Sequence, residues 1–178
     1  QQASVKKQTL TTLQQQLKTK MENDDSLTWL FMGDSITHGA AYTLGQDTVA
    51  QSFEKYLKDD LKRSKDIVIN TAVSGATVNG ANEKDTDSST LKHIQARLND
   101  YNPDVISIML GTNDIVRTRE FYKTNLKTLV DKAKEKTDIV VLRSPLPTQW
   151  TDRDPKCKEF TEVMKEVAYE RDCIFIDQ

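Results

Sequence analysis

The sequence predicts an α/β fold, a three-layer α/β/α sandwich around a five-stranded parallel sheet in the flavodoxin-like order 2-1-3-4-5. Three observations predict it. From Leu27 onward, short apolar runs alternate with longer amphipathic segments, the pattern of parallel strands joined by crossover helices. The runs Ile67-Val68-Ile69, Val105 to Leu110 and Ile139 to Leu142 are nearly continuous, as strands covered on both faces require. Polar segments containing glycine follow the first three runs, at the strand ends where open parallel sheets bind ligands.

The elements follow in order. Val5, Leu10, Leu13, Leu17 and Met21 recur at helical spacing with no Gly or Pro among them, so Ser4 to Met21 reads as an amphipathic helix, ended by Asn23-Asp24-Asp25. Residues 1–22 are thus set apart as an N-terminal helix that covers apolar surface of the same domain, links to another module or pairs with a partner chain. Leu27 to Met32 is the first strand. Thr48 to Lys62 is a helix, Asp66 to Asn70 a strand, Ser88 to Asp100 a helix and Val105 to Leu110 a strand. Pro103 blocks helix continuation and predicts extended geometry at Asn102. Arg119 to Lys136, Asp138 to Leu142, Asp154 to Glu170 and Cys173 to Ile176 complete the alternation.

A chain of 178 residues with 37% hydrophobic residues can bury a single core without disulfides or a structural metal. Cys157 and Cys173 sit in no C-x-x-C pair and beside no histidine cluster, so both read as packing thiols. The formal charge of -2 gives no electrostatic drive toward nucleic acid or an anionic membrane. No apolar stretch has the length of a spanning helix, so membrane insertion is not expected. Nucleotide-binding glycine motifs, the G-x-S-x-G elbow and metal-ligand spacings are all absent, so no cofactor or metal is expected. No motif specifies an oligomeric state or a compartment, and an export signal already removed would leave the same pattern.

Gly33-Asp34-Ser35-Ile36-Thr37 follows the first strand, Val73-Ser74-Gly75-Ala76 the second, and Gly111-Thr112-Asn113-Asp114 the third. In the order 2-1-3-4-5 these three strands are neighbours, and the order reverses between strands one and three, so the three segments share one crevice. Ser35 then stands at a helix start among free backbone N–H groups, suited to charge developing on a substrate oxygen. The N–H of Ser35, the N–H of Gly75 and the amide of Asn113 could hold such an oxyanion. Each segment also has a plainer reading: Gly-Asp-Ser as a turn, Gly75 as relief of crowding, and Asn113 or Asp114 as a helix cap.

In this order and spacing, Gly33-Asp34-Ser35, Gly75 and Gly111-Thr112-Asn113-Asp114, the last preceded by Pro103-Asp104, resemble the first three blocks of the SGNH (GDSL-type) hydrolases. The resemblance runs from about Leu27 to Gln178 and implies residues 23–178 as one hydrolase-like domain. It implies Ser35 as nucleophile, Gly75 and Asn113 as oxyanion donors, and Asp34 and Asp114 as residues holding their turns through nearby backbone. The implied reaction is ester hydrolysis through an acyl-enzyme, with a small O-acyl group, most simply acetyl, on a carbohydrate as substrate. The alternatives are a lipid or short-chain thioester acylhydrolase and a non-catalytic binding module for acylated glycans.

The family's closing Asp-x-x-His block, which supplies the general base, is not among these residues, and it is expected in sequence beyond Gln178. His38 lies three positions after Ser35 but has no evident carboxylate to orient it, and His93 reads as part of a solvated helix face. Asn79-Gly80 through Ser89 reads as a surface loop, with a flap over the crevice as the other possibility. Tyr42 and Trp150 are candidates for a platform under a sugar ring or acyl chain, or for ordinary aromatic packing. Asp177 ends the fifth strand on the same edge and is not expected to be the aspartate of the triad.

Overall fold

The structure, a computed structural model, describes residues 2–39, 43–146 and 154–178, and only the backbone of residues 2–11. The chain runs α1 (Gln2–Glu22), β1 (Thr28–Gly33), α2 (Ser35–His38), α3 (Val49–Asp59), β2 (Ile67–Asn70), α4 (Thr90–Tyr101) and β3 (Val105–Met109). A 3-10 turn (Asp114–Val116), α5 (Arg119–Lys134), β4 (Val140–Arg143), α6 (Asp154–Glu170) and β5 (Ile174–Ile176) follow. The strands form one parallel sheet in the order β2-β1-β3-β4-β5, as the alternation predicts.

Alternation along β1 sends its side chains to two cores. Leu30 and Met32, with Ile106, Ile108, Val140 and Leu142 of the neighbouring strands, pack under α4, α5 and α6. Tyr122 of α5 and Phe160 of α6 stack there with ring centroids 4.1 Å apart. Trp29 and Phe31 face the other way, onto α3 through Ala50 and Leu57, with Phe53 beside them. Leu17 and Met21 of α1 pack against this second core, so the N-terminal helix covers apolar surface of the same domain.

Buried polar anchors set the strand starts. Asp66, 6% exposed, accepts from Leu27 N–H at 3.1 Å, Trp29 Nε1 at 2.9 Å and both arms of Arg63 at 2.8 Å. Burial raises its pKa, but these donors outweigh burial and leave it below the usual carboxylate range. Asp104 accepts from Thr28 N–H at 2.8 Å and fixes β1 against the entry to β3.

Two expectations change. Asn102 is a left-handed cap of α4 (φ 43°, ψ 59°) rather than extended. Pro103 disfavours only the right-handed helical region before it, and asparagine tolerates the left-handed one. The apolar run of β2 is an edge strand, with Ile67 52% exposed at its start, because only β1 pairs with it. Cys157 and Cys173 are buried thiols, and burial pushes Cys173 up to about 12. Among the described residues no helix is long and apolar enough to cross a membrane, and no His, Cys, Asp or Glu group could hold a metal ion.

Candidate active site

The carboxyl end of β1 turns into α2 at Asp34, whose extended backbone and side chain cap the helix: Oδ1 accepts the Ile36 N–H at 3.0 Å. Ser35 is therefore the first helical residue, half-buried, and its N–H has no intrahelical acceptor. A helix of four residues has little macrodipole, so its contribution here is free, aligned N–H groups. Gly33 is dictated by packing: a Cβ there would lie 2.5 Å from Thr37 Oγ1 and 2.9 Å from the Met109 carbonyl.

The segment after β2 folds against α2. Val73 N–H donates to the Gly33 carbonyl at 3.0 Å, and Asn70 Nδ2 donates to the Thr37 carbonyl at 2.9 Å. His38 Nδ1 lies 3.1 Å from Ser74 Oγ. Gly75 follows in the left-handed region, φ 82°, exposed, with no heavy atom within 4 Å of where a Cβ would stand. Open space and positive φ together mean that the turn geometry, not crowding, requires glycine at this position.

The loop after β3 closes the other side. Asn113 Nδ2 donates one N–H to the Ala76 carbonyl at 3.1 Å, which leaves the second amide hydrogen for another acceptor. Gly75 is thus bracketed: the residue before it bonds to α2, and the carbonyl after it holds Asn113. The loops carrying Ser35, Gly75 and Asn113 form one hydrogen-bonded unit. Asn113 makes no capping bond to the turn that follows it, so the helix-cap alternative does not describe its side chain.

Asp34 caps its own turn, and Asp114 acts both locally and at a distance. Its carboxylate engages the Gly111 backbone and its own N–H, and its Oδ1 accepts the Val78 N–H at 2.8 Å, across 36 residues, so it also ties the second loop to the third. Asp114 is fully buried and its Oδ2 has no hydrogen-bond partner. Burial, reinforced by the charge of Asp34, raises its pKa to about 7. Burial also raises Asp34, against the Ile36 N–H, the Thr112 hydroxyl and the Arg143 charge. Tyr122, whose hydroxyl donates to the Leu110 carbonyl at 2.9 Å, is raised well above its ordinary value by burial and by Asp114 and Asp34.

The remaining candidates divide. His38 is exposed and bonded to Ser74, and His93 is exposed on α4, so neither histidine engages Ser35. Asp177 accepts from Ser144 Oγ at 3.2 Å, a contact between the ends of β4 and β5. The segment from Asn79 to Ser89 is an ordered polar loop, with Asp85 accepting from Ala81 N–H and from the Ser88 N–H and hydroxyl. Tyr42 and Trp150 lie outside the described residues. Sequence reasoning passed over Arg143, which is 5% exposed and bonds to Thr37 Oγ1 at 3.1 Å. Its signal was a basic residue closing an apolar run at the site edge.

The chain is similar to known proteins. Over 110 residues the chain is 40% identical to an uncharacterized protein of Mycoplasma pneumoniae, covering 58% of this chain but only 11% of that protein. It is 25% identical over 171 residues to an acetylxylan esterase of Geobacillus stearothermophilus, covering 83% of this chain and 74% of the esterase. The crystal structure of TesA superposes with a TM-score of 0.64 at 27% identity, over 83% of this chain and 76% of that one. The crystal structure of the Geobacillus esterase, 22% identical, shares the fold at a TM-score of 0.60, over 85% of this chain and 75% of that one. Residues 31–178 match the GDSL-like lipase/acylhydrolase family, and the chain belongs to that family.

Proposed function

We propose that this protein is a serine ester hydrolase acting through an acyl-enzyme, with Ser35 as nucleophile. The observation that carries the reading is the bracketing of Gly75 between Ser74, bonded to the Ser35 helix, and Ala76, bonded to Asn113. In the proposed reaction Ser35 Oγ attacks an ester carbonyl, and the oxyanion accepts from the Ser35 N–H, the Gly75 N–H and the free Asn113 amide hydrogen. Each well-placed donor of this kind typically contributes about 2.7 to 4 kcal/mol to lowering the barrier. The tetrahedral intermediate then expels the alcohol and leaves acyl-Ser35, which water hydrolyses.

A serine hydroxyl needs a base to be nucleophilic at neutral pH. We assign that role to a histidine of an Asp-x-x-His element, which these 178 residues do not contain. Solved forms of the Geobacillus esterase include variants termed catalytic in which a serine, an aspartate or a histidine is replaced by alanine, which supports the assignment. The proposed substrate is a small O-acyl group, most simply acetyl, on a carbohydrate. The acetylxylan esterase relative supports this choice over a lipid or thioester substrate.

The test is hydrolysis of p-nitrophenyl acetate and acetylated xylo-oligosaccharides by this chain and by a polypeptide extended to include such an element. Turnover by the extended form that disappears in Ser35→Ala supports the proposal. Equal rates in the two extended forms would sink it. A second reading, a module that binds acylated glycans without cleaving them, draws on the lack of any histidine engaging Ser35 among the described residues. Saturable glycan binding without turnover in the extended form would favour it.

A further inference from the structure

Beneath α2 lies a buried ionic group with no direct part in the acyl transfer. Arg143 leaves the carboxyl end of β4, donates from Nε to Ser107 Oγ on β3 at 2.8 Å, and reaches Thr37 Oγ1 on α2 from Nη2 at 3.1 Å. Its guanidinium carbon lies 5.4 Å from the centroid of the Phe31 ring. One side chain thus links β4, β3 and the helix that carries Ser35. Asn70 Nδ2 holds the same helix through the Thr37 carbonyl at 2.9 Å, from the β2 side. The helix is therefore fixed from both flanks.

The charge matters as much as the reach. Asp34 is fully buried, and Oδ1 caps the Ile36 N–H. Arg143 supplies the positive charge that acts on it, and Asp34 in turn helps to raise Asp114 of the third loop and Tyr122 of α5. A buried carboxylate that loses its counter-charge takes up a proton and becomes a weaker acceptor for its cap.

We propose that Arg143 is a positioning residue for Ser35: it fixes α2 through the Thr37 hydroxyl. The effect on catalysis rests on the reading of Ser35 as nucleophile, but the effect on α2 does not.

The experiment compares Arg143→Met, Arg143→Lys and Thr37→Val, each in the polypeptide extended to include the Asp-x-x-His element, by kinetics with p-nitrophenyl acetate and by amide hydrogen exchange. Arg143→Met is expected to lower kcat by about 30-fold or more with KM within about threefold, the signature of a lost transition-state arrangement. Arg143→Lys should restore only part of kcat, and Thr37→Val should lower kcat about tenfold. Exchange at Ile36 to Gly39 should quicken about tenfold in Arg143→Met and Thr37→Val, while β1 and β3 amides stay protected. Unchanged exchange in α2 of a folded Arg143→Met overturns the proposal. If Arg143→Met does not fold, exchange in Thr37→Val decides in the same way. Absence of turnover in the form extended to include the Asp-x-x-His element would refute the hydrolase reading and leave the exchange result to decide this one.

Discussion

Asp114 accepts the Val78 N–H at 2.8 Å from a fully buried position, and this bond joins the loop after β3 to the loop after β2. The carboxylate therefore sits where two site loops meet, with its second oxygen unpartnered. Its pKa of about 7 follows from burial first and the charge of Asp34 second.

That value predicts a pH-dependent stability. The unfolded aspartate ionises near pH 4, about 3.9, whereas the folded one resists ionisation until about 7. Because the folded state holds the proton more tightly, stability from this group is fully present below the lower value and declines as pH rises through the upper one. Asp114→Asn keeps an acceptor for Val78 and cannot ionise. Its Tm relative to wild type should rise by about 4 °C or more between pH 4.5 and 7.5, given about 2–4 °C per kcal/mol at this chain length. A constant difference across that window would refute the assignment, and scanning calorimetry at both pH values reads it directly.

Asn113→Ala separates chemistry from folding. Loss of an oxyanion donor should lower kcat by about 10² to 10³. Loss of the single bond to the Ala76 carbonyl should cost only about 1 kcal/mol. Turnover and urea denaturation measured on the same preparation check both figures. A large stability loss with unaltered kcat would make the residue structural.

Gly75→Ala and Gly80→Ala form a matched pair. Both glycines have φ 82°, but a Cβ at Gly75 meets nothing within 4 Å, whereas one at Gly80 would lie 2.2 Å from the Asp85 carbonyl oxygen. The first substitution should cost about 1–2 kcal/mol, from backbone strain alone, and reduce turnover by turning the peptide N–H away. The second should be clearly more destabilising, because the polar loop must open. Equal losses by chemical denaturation would contradict the steric account.

His38→Ala tests the proton acceptor. With its Nδ1 bonded to Ser74 rather than Ser35, His38 contributes order to the loop pair, and its removal should lower kcat by less than about tenfold. A loss as deep as that of Ser35→Ala would identify it as the base.

The sheet was legible because buried parallel strands need continuous apolar runs and their crossovers need amphipathic ones; Val105 to Leu110 and Arg119 to Lys136 are read almost to their observed ends. The meeting of the loops that carry Ser35, Gly75 and Asn113 was legible because loops at adjacent strand ends share one edge. The exceptions are contacts distant in sequence. Nothing local distinguishes Asp114, which bonds 36 residues away, from an ordinary turn aspartate. Nor does composition reveal that Arg143 reaches Thr37 across 106 residues. The left-handed Asn102 escaped because Pro103 rules out one conformation without choosing between the two that remain.

The central claim is that Ser35 carries the acyl group between two half-reactions. Rapid-quench mass spectrometry of a polypeptide that includes the Asp-x-x-His element, mixed with p-nitrophenyl acetate, tests it most directly. The account predicts a transient gain of one acetyl group mapped to Ser35 and absent from Ser35→Ala. Acetylation at another residue, or turnover that survives in Ser35→Ala, would contradict it.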